Sequence, residues 1–242
     1  MKMSVSIRRI RAIVRKELLE YRRTPSIVVA MAIIPLIFLI QPLVVVFGLP
    51  ASSSGQLAHG HVLLYLLGIP ALVPVLIAAY AVAGERQQGT LEPVLTTPVR
   101  REEFLLGKAL AALVPSAMVA YAVYALFIAC VEFFADTAVA SALLQWPQIL
   151  AQVLLTPLIA AWSIWAGMGI SARSNDIRVA QQLGMLAGIP TVALTSLIAF
   201  DVIHLTLGRA FGLAAALLVL DAIGWRIVSS AFDRERLITG TR

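Results

Sequence analysis

Long uninterrupted apolar runs alternate with short charged islands along this chain. No Asp, Glu, Lys or Arg occurs from Thr24 to Gly84, and none from Ala109 to Val131. An apolar run of about 20 residues is long enough to cross the hydrocarbon layer as a helix. The pattern predicts six spans, at about 26–48, 62–83, 104–131, 149–172, 180–200 and 207–229. The runs are continuous rather than alternating, which excludes a transmembrane β-barrel. The N-terminal 1–24 stretch has a different period. There Ile7, Ile10, Val14, Leu18 and Tyr21 recur every three or four positions in an otherwise basic sequence. That spacing predicts an amphipathic helix in the cytoplasmic interface, with its apolar stripe toward lipid and its cations among head groups.

Prolines fall inside most of the predicted spans: Pro35, Pro42, Pro70, Pro74, Pro115, Pro157 and Pro190. Each removes a backbone hydrogen bond and bends its helix, either as ordinary kinked packing or as a hinge. The expected fold class is an all-α polytopic membrane protein, one transmembrane domain over residues 1–242. Composition agrees. Hydrophobic residues make up 60% of the chain, charged residues 13%, and mean hydropathy is +0.90. A soluble domain carries about 25% charged residues. The first run reads as a retained span, too long for a cleaved signal peptide. Cys130 is the single cysteine, so no intrachain disulfide forms.

Basic residues give the orientation. Lys2, Arg8, Arg9, Arg11, Arg15, Lys16, Arg22 and Arg23 precede the first span. Arg86, Arg100, Arg101, Lys108, Arg173, Arg178, Arg226, Arg234, Arg236 and Arg242 fall on the same side, and only Arg209 on the other. Both termini and the island at 84–100 are therefore expected in the cytoplasm. This asymmetry accounts for the pI near 10 without nucleic-acid binding.

The island has its own local logic. Gly89 permits a tight turn, Thr90 suits an N-cap, and Pro93 is tolerated in a first turn, which predicts a short helix at about 91–96. Thr97 and Pro98 then start the next helix, with Glu102 and Glu103 near its positive end. Leu91, Val94 and Leu95 beside Glu85, Arg86 and Glu92 suit docking into a partner's groove, with Glu85 and Glu92 facing its basic residues.

Other chemistry is sparse. No GxxxxGK[ST] phosphate loop occurs; Gly107-Lys108 is followed by Ala109. No inward cluster of Glu, His, Asp or Ser marks an intramembrane catalyst, so no catalytic residue and no enzyme activity are expected. His59, His61 and His204 share the outer side with Glu132, Asp136 and Asp201 and read as solvated side chains, with no metal site. Asp221 is the only acid inside a clear span. It points either to an ion pair with Arg22, Arg23 or Arg226, or to a substrate or proton role. Tyr121 and Thr156, with Gln41, Tyr80, Tyr124, Gln152, Ser163, Thr191 and Thr195, either line a path or bond between helices.

Two segments carry a family resemblance. GERQQGTLEPVLTTPVRREEFLLGK, residues 84–108, resembles the cytoplasmic loop of the ABC-2 type permeases, and RAIVRKELLEYRRTP, residues 11–25, resembles their amphipathic N-terminal helix. The matching positions are Lys16, Glu17 and Arg23, then Glu85, Gly89, Thr90, Leu91, Glu92, Leu95, Pro98, Gly107 and Lys108. The resemblance implies a six-span permease subunit of an ATP-driven exporter in a prokaryotic inner membrane. It implies a dimer, of this chain or with a related one, that forms the substrate path among membrane lipids. It also implies two separate ATP-binding subunits, which carry ATP and Mg, leaving this chain without a cofactor. The island would be the coupling helix. Two alternatives stand beside it: a non-transporting anchor or mechanical coupler driven by the same kind of ATPase, and an intramembrane enzyme. The short outer segments Gly48–Gly60 and Asp201–Thr206 fit the minimal permeases of the family.

Overall fold

A computed structural model of the chain describes residues 6–48, 62–87, 89, 100–202 and 206–231. Among them there are helices and no strand. Helix α1 (Ile7–Arg23) is followed by α2 (Pro25–Gly48). Pro25 cannot continue α1 but suits the first turn of α2. A 3-10 segment (Val62–Leu67) runs into α3 (Gly68–Gln87). Then come α4 (Arg101–Phe134), the short α5 (Thr137–Leu143), α6 (Trp146–Arg173), α7 (Ile177–Ala199) and α8 (Leu207–Ala231). Six of these segments are long and apolar enough to cross a membrane, at the positions the hydropathy pattern gives.

Helix α3 forms the centre of the bundle. Its most apolar window is 89% buried, against 22–44% for the other five spans. Helices α2, α4, α6 and α7 all pack on it. Without a hydrophobic drive between helices in lipid, close approach depends on small residues. Alanines supply them on α3, and glycines on its neighbours. A Cβ on Gly167 of α6 would lie 2.6 Å from the Val75 carbonyl oxygen, and one on Gly188 of α7 2.8 Å from Leu72. Ser163 of α6 adds a hydrogen bond to the Ala71 carbonyl at 2.9 Å. Helix α8 packs outside α6, where Gly224 accommodates Trp165, and Trp165 meets Trp225 edge-on at 5.4 Å. The outward faces of α2, α7 and α8 expose Leu36, Ile40, Leu186, Ile189, Leu218 and Val219, as a lipid-facing surface requires.

Helix α4 has 34 residues. At 1.5 Å per residue that is about 51 Å, well beyond a ~30 Å hydrocarbon core, so its first turns project on the side of α1. Helix α1 packs along them. Its apolar stripe is only partly toward lipid: Val14, Leu18 and Tyr21 join the protein core, while Ile7 at the start is 81% exposed. Close approach explains the difference from the expected lipid contact. Gly107 leaves room for Ile13, whose Cγ2 would sit 2.7 Å from any Cβ placed there. The stripe therefore finds an apolar protein surface before it finds lipid.

Candidate functional site

Four matching positions of the two resembling segments meet in one buried charge cluster. Helix α1 contributes Lys16 and Glu17, the last turn of α3 contributes Glu85, and the second turn of α4 contributes Lys108. Lys108 is 1% exposed, and Glu17 and Glu85 are each 2% exposed. The Lys108 ammonium donates to Glu17 Oε1 at 2.8 Å and to the Ala81 carbonyl at 2.7 Å, and pairs with Glu85 Oε1 at 3.1 Å. Lys16 closes the ring from the surface, donating to Glu85 at 2.6 Å and Glu17 at 3.1 Å and pairing with Glu20 at 3.0 Å. Burial alone would raise the Glu17 carboxyl. Lys108 and Lys16 outweigh it and hold Glu17 below the usual carboxylate range. Burial would lower Lys16, but Glu17 and Glu85 keep its ammonium above the ordinary lysine range. Burial and the nearby Glu17 charge push the Tyr21 phenol up. A buried charge is tolerated only when paired and hydrogen-bonded, and this cluster meets both conditions.

A second tie lies one turn away. Glu103, fully buried, accepts from the Ser6 backbone N–H at 2.7 Å, from Arg9 at 2.9 Å and from the Arg100 backbone N–H at 3.1 Å. One carboxylate thus serves the N-terminal ends of both α1 and α4, where exposed N–H groups favour an anion. The bond to Arg100 fixes the start of α4 at Arg101 instead of the expected Pro98.

The end of α3 is also fastened to α6. The Ser171 hydroxyl donates to the Ala79 carbonyl at 2.6 Å and accepts from the Val82 and Ala83 N–H groups at 3.0 and 2.9 Å. Arg86 donates to the Ser174 carbonyl at 2.7 Å, the Ala172 carbonyl at 3.3 Å and Asn175 Oδ1 at 2.9 Å, so a cation caps the negative end of α6. Gly89 then turns the chain with φ +68°, its N–H bonded to the Arg86 carbonyl at 3.2 Å. Only glycine adopts that backbone without strain.

Several expectations change. Glu85 is not a surface carboxylate for a partner's basic residues; it faces Lys16 and Lys108, because the α3 helix continues to Gln87 and carries it inward. Arg86 likewise serves α6. Arg23 stays exposed in the last turn of α1. Thr90, Leu91, Glu92, Leu95 and Pro98, and with them the short helix expected at 91–96, lie outside the described residues, as do His59, His61 and His204. Asp221 forms no ion pair among the described residues, and its Oδ1 is buried without a hydrogen-bond partner there. Arg226 is five positions on, about 140° around the helix, so it cannot turn back to Asp221.

Tyr121 of α4 donates to the Val153 carbonyl of α6 at 2.9 Å, a bond between helices, whereas Thr156 bonds back to Gln152 within α6 at 2.7 Å. Buried polar atoms without hydrogen-bond partners among the described residues include ones on Gln41, Ser116, Tyr124, Gln148 and Gln152. Sequence reading missed Ser171, Glu103 and Arg9 as ties. Ser171 carries no sequence signal, whereas Glu103 was legible as an acid in a helix's first turn.

No curated protein matches the chain at significance. A family model described as ABC-2 family transporter protein matches residues 11–225, an interval that contains Lys16, Glu17, Glu85, Lys108 and all of α2 to α7. The chain therefore belongs to the ABC-2 family of transporter membrane proteins.

Proposed function

We propose that this chain is the permease subunit of an ATP-driven exporter, working as a dimer of permeases with two separate ATP-binding subunits beneath it. One observation carries the reading. The segment 84–100 joins the last turn of α3, the buried centre of the bundle, to the first turn of α4, and buried charges tie both ends to α1. A push on that segment from the cytoplasmic side would therefore act on two helix ends that are tied to α1. In this reading ATP binding draws the two ATPases together, residues 84–100 transmit the motion, and the permeases alternate between inward- and outward-facing states. ATP selects a state only through contacts that differ between the two. Pro70, Pro74 and Pro115 let α3 and α4 bend as they respond. The polar atoms of Tyr124, Gln148 and Gln152 that have no partner among the described residues supply polar groups for a path through the apolar bundle.

Leu91 and Leu95 are the anchor in this reading, with Glu92 beside them as charge for the partner. Truncating such an anchor removes about 2 kcal/mol, roughly thirtyfold in affinity. The test is the complex reconstituted in vesicles with its ATP-binding subunit. Leu91→Asp, Leu95→Asp and Gly89→Val should lose ATPase copurification and ATP-dependent export while still inserting in the membrane. Wild-type copurification and export by all three variants would refute the reading. Copurification without any ATP-dependent substrate movement would assign the chain to mechanical coupling instead.

A further inference from the structure

We infer that the junction of α1, α2 and α4 is a specific seat for one anionic phospholipid, with an acyl chain in an apolar groove and its phosphate on arginines of α1. The groove encloses about 520 Å³. It is lined by Leu18 and Tyr21 of α1, Val28 and Met31 of α2, and Pro115 of α4, with Arg22 at its edge. That volume lies within the ~300–1,000 Å³ of ordinary ligand sites. A second depression of about 350 Å³ continues from it along α1, sharing Leu18 and Arg22 and adding Arg11 and Arg15. Apolar groove and basic depression thus meet at one guanidinium, the order of chemistry along a phospholipid from tail to phosphate.

Charge selects the occupant. Arg11, Arg15 and Arg22 are exposed on one side of α1, and none has an ion-pair partner among the described residues. The acids of the helix are committed elsewhere: Glu17 to Lys108, and Glu20 to Lys16. An arginine fork matches a phosphate's oxygens bidentately. The depth is right too, because α2 begins at Pro25, where α1 ends, and Pro115 lies about 21 Å along the overhanging α4. A zwitterionic lipid fits the groove but leaves three cations without net compensation. The inference is independent of export, since it needs only membrane residence.

The test is native mass spectrometry of the purified chain in detergent, titrated with phosphatidylglycerol and, separately, phosphatidylcholine of the same chain length. The chain should retain phosphatidylglycerol preferentially. Each of Arg11→Gln, Arg15→Gln and Arg22→Gln should weaken retention about fivefold, and Arg22→Lys should recover part of that loss. Ala32→Phe, which fills the groove and leaves the arginines in place, should abolish retention. Glycerol phosphate at matching concentration should not displace the lipid. Equal retention of the two lipids, unchanged retention by Ala32→Phe, or displacement by glycerol phosphate would each overturn the seat. Melting temperature without added lipid, unchanged in the arginine variants, separates loss of the site from loss of the fold.

Discussion

Replacing Lys108 by methionine isolates the buried cluster. The substitution keeps the length of the side chain and removes the charge. Glu17 and Glu85 would then face one another at 2% exposure each, with Lys16 alone between them. The Ala81 carbonyl would also lose its donor at 2.7 Å. Removing one member of a buried ion pair costs about 3–5 kcal/mol, most of it the penalty on the charges left behind. The loss falls on docking of α1, because Glu17 is the α1 residue that Lys108 holds. Cysteine labelling measures it: in a Cys130→Ser background, Ile13→Cys places a thiol under α1 against Gly107. When opening is fast relative to labelling, the rate follows the open population. Lys108→Met should accelerate it by about two to four orders of magnitude. Adding Glu17→Gln and Glu85→Gln should return most of the loss, since a neutral set has no buried charge to compensate. A single variant labelling within threefold of wild type would show that the cluster does not hold α1.

Gly107→Leu should displace α1 by overpacking against Ile13, at about 1–3 kcal/mol, and Ile13→Ala should rescue it; a melting temperature unchanged by Gly107→Leu refutes the close approach. Ser171→Ala should lower the melting temperature by leaving the Ala79, Val82 and Ala83 backbone groups short of a partner, about 1–3 kcal/mol. Docking of α1 should be pH-dependent at both extremes. Glu17 is depressed in the fold, so its contribution is complete above its ordinary value of 4.5 and fades as pH falls further. Lys16 is raised, so its contribution is complete below 10.5 and fades only above that. A labelling rate at position 13 that, divided by the rate of the same thiol in the unfolded chain at each pH, changes between pH 6 and 9 contradicts both. Finally, a cysteine at Gln88 should resist an impermeant reagent added outside intact cells; reaction there reverses the orientation.

The spans were legible because hydrocarbon imposes one rule on every residue of a run, and continuous apolar stretches of sufficient length have few other uses. The starts of α2 at Pro25 and the turn at Gly89 were legible for local steric reasons. The meeting of Glu17, Glu85 and Lys108 was not. Each looks like a surface charge when read within its own segment, and only tertiary packing brings together positions 91 and 23 residues apart. The same limit explains Glu85, which local reasoning placed on a solvent-facing loop. It explains Asp221 as well, for which no helix brings an arginine into reach among the described residues.

The cluster also sets an order of events during synthesis. When α1 leaves the ribosome, Lys16 can already pair with Glu20, its neighbour one turn on, at 3.0 Å. The same ammonium reaches Glu17 at 3.1 Å, but the buried partner of Glu17 is made 91 residues later. Until α3 and α4 are made, α1 lacks the protein surface it packs on, and Glu85 has Lys16 but not yet Lys108 to pair with. Lys108 then adds a second cation to both carboxylates, and the rest of α4 is made after it. A nascent chain halted between Glu85 and Lys108 would thus hold both carboxylates on Lys16 alone, without the buried cation that ties α1 to α4.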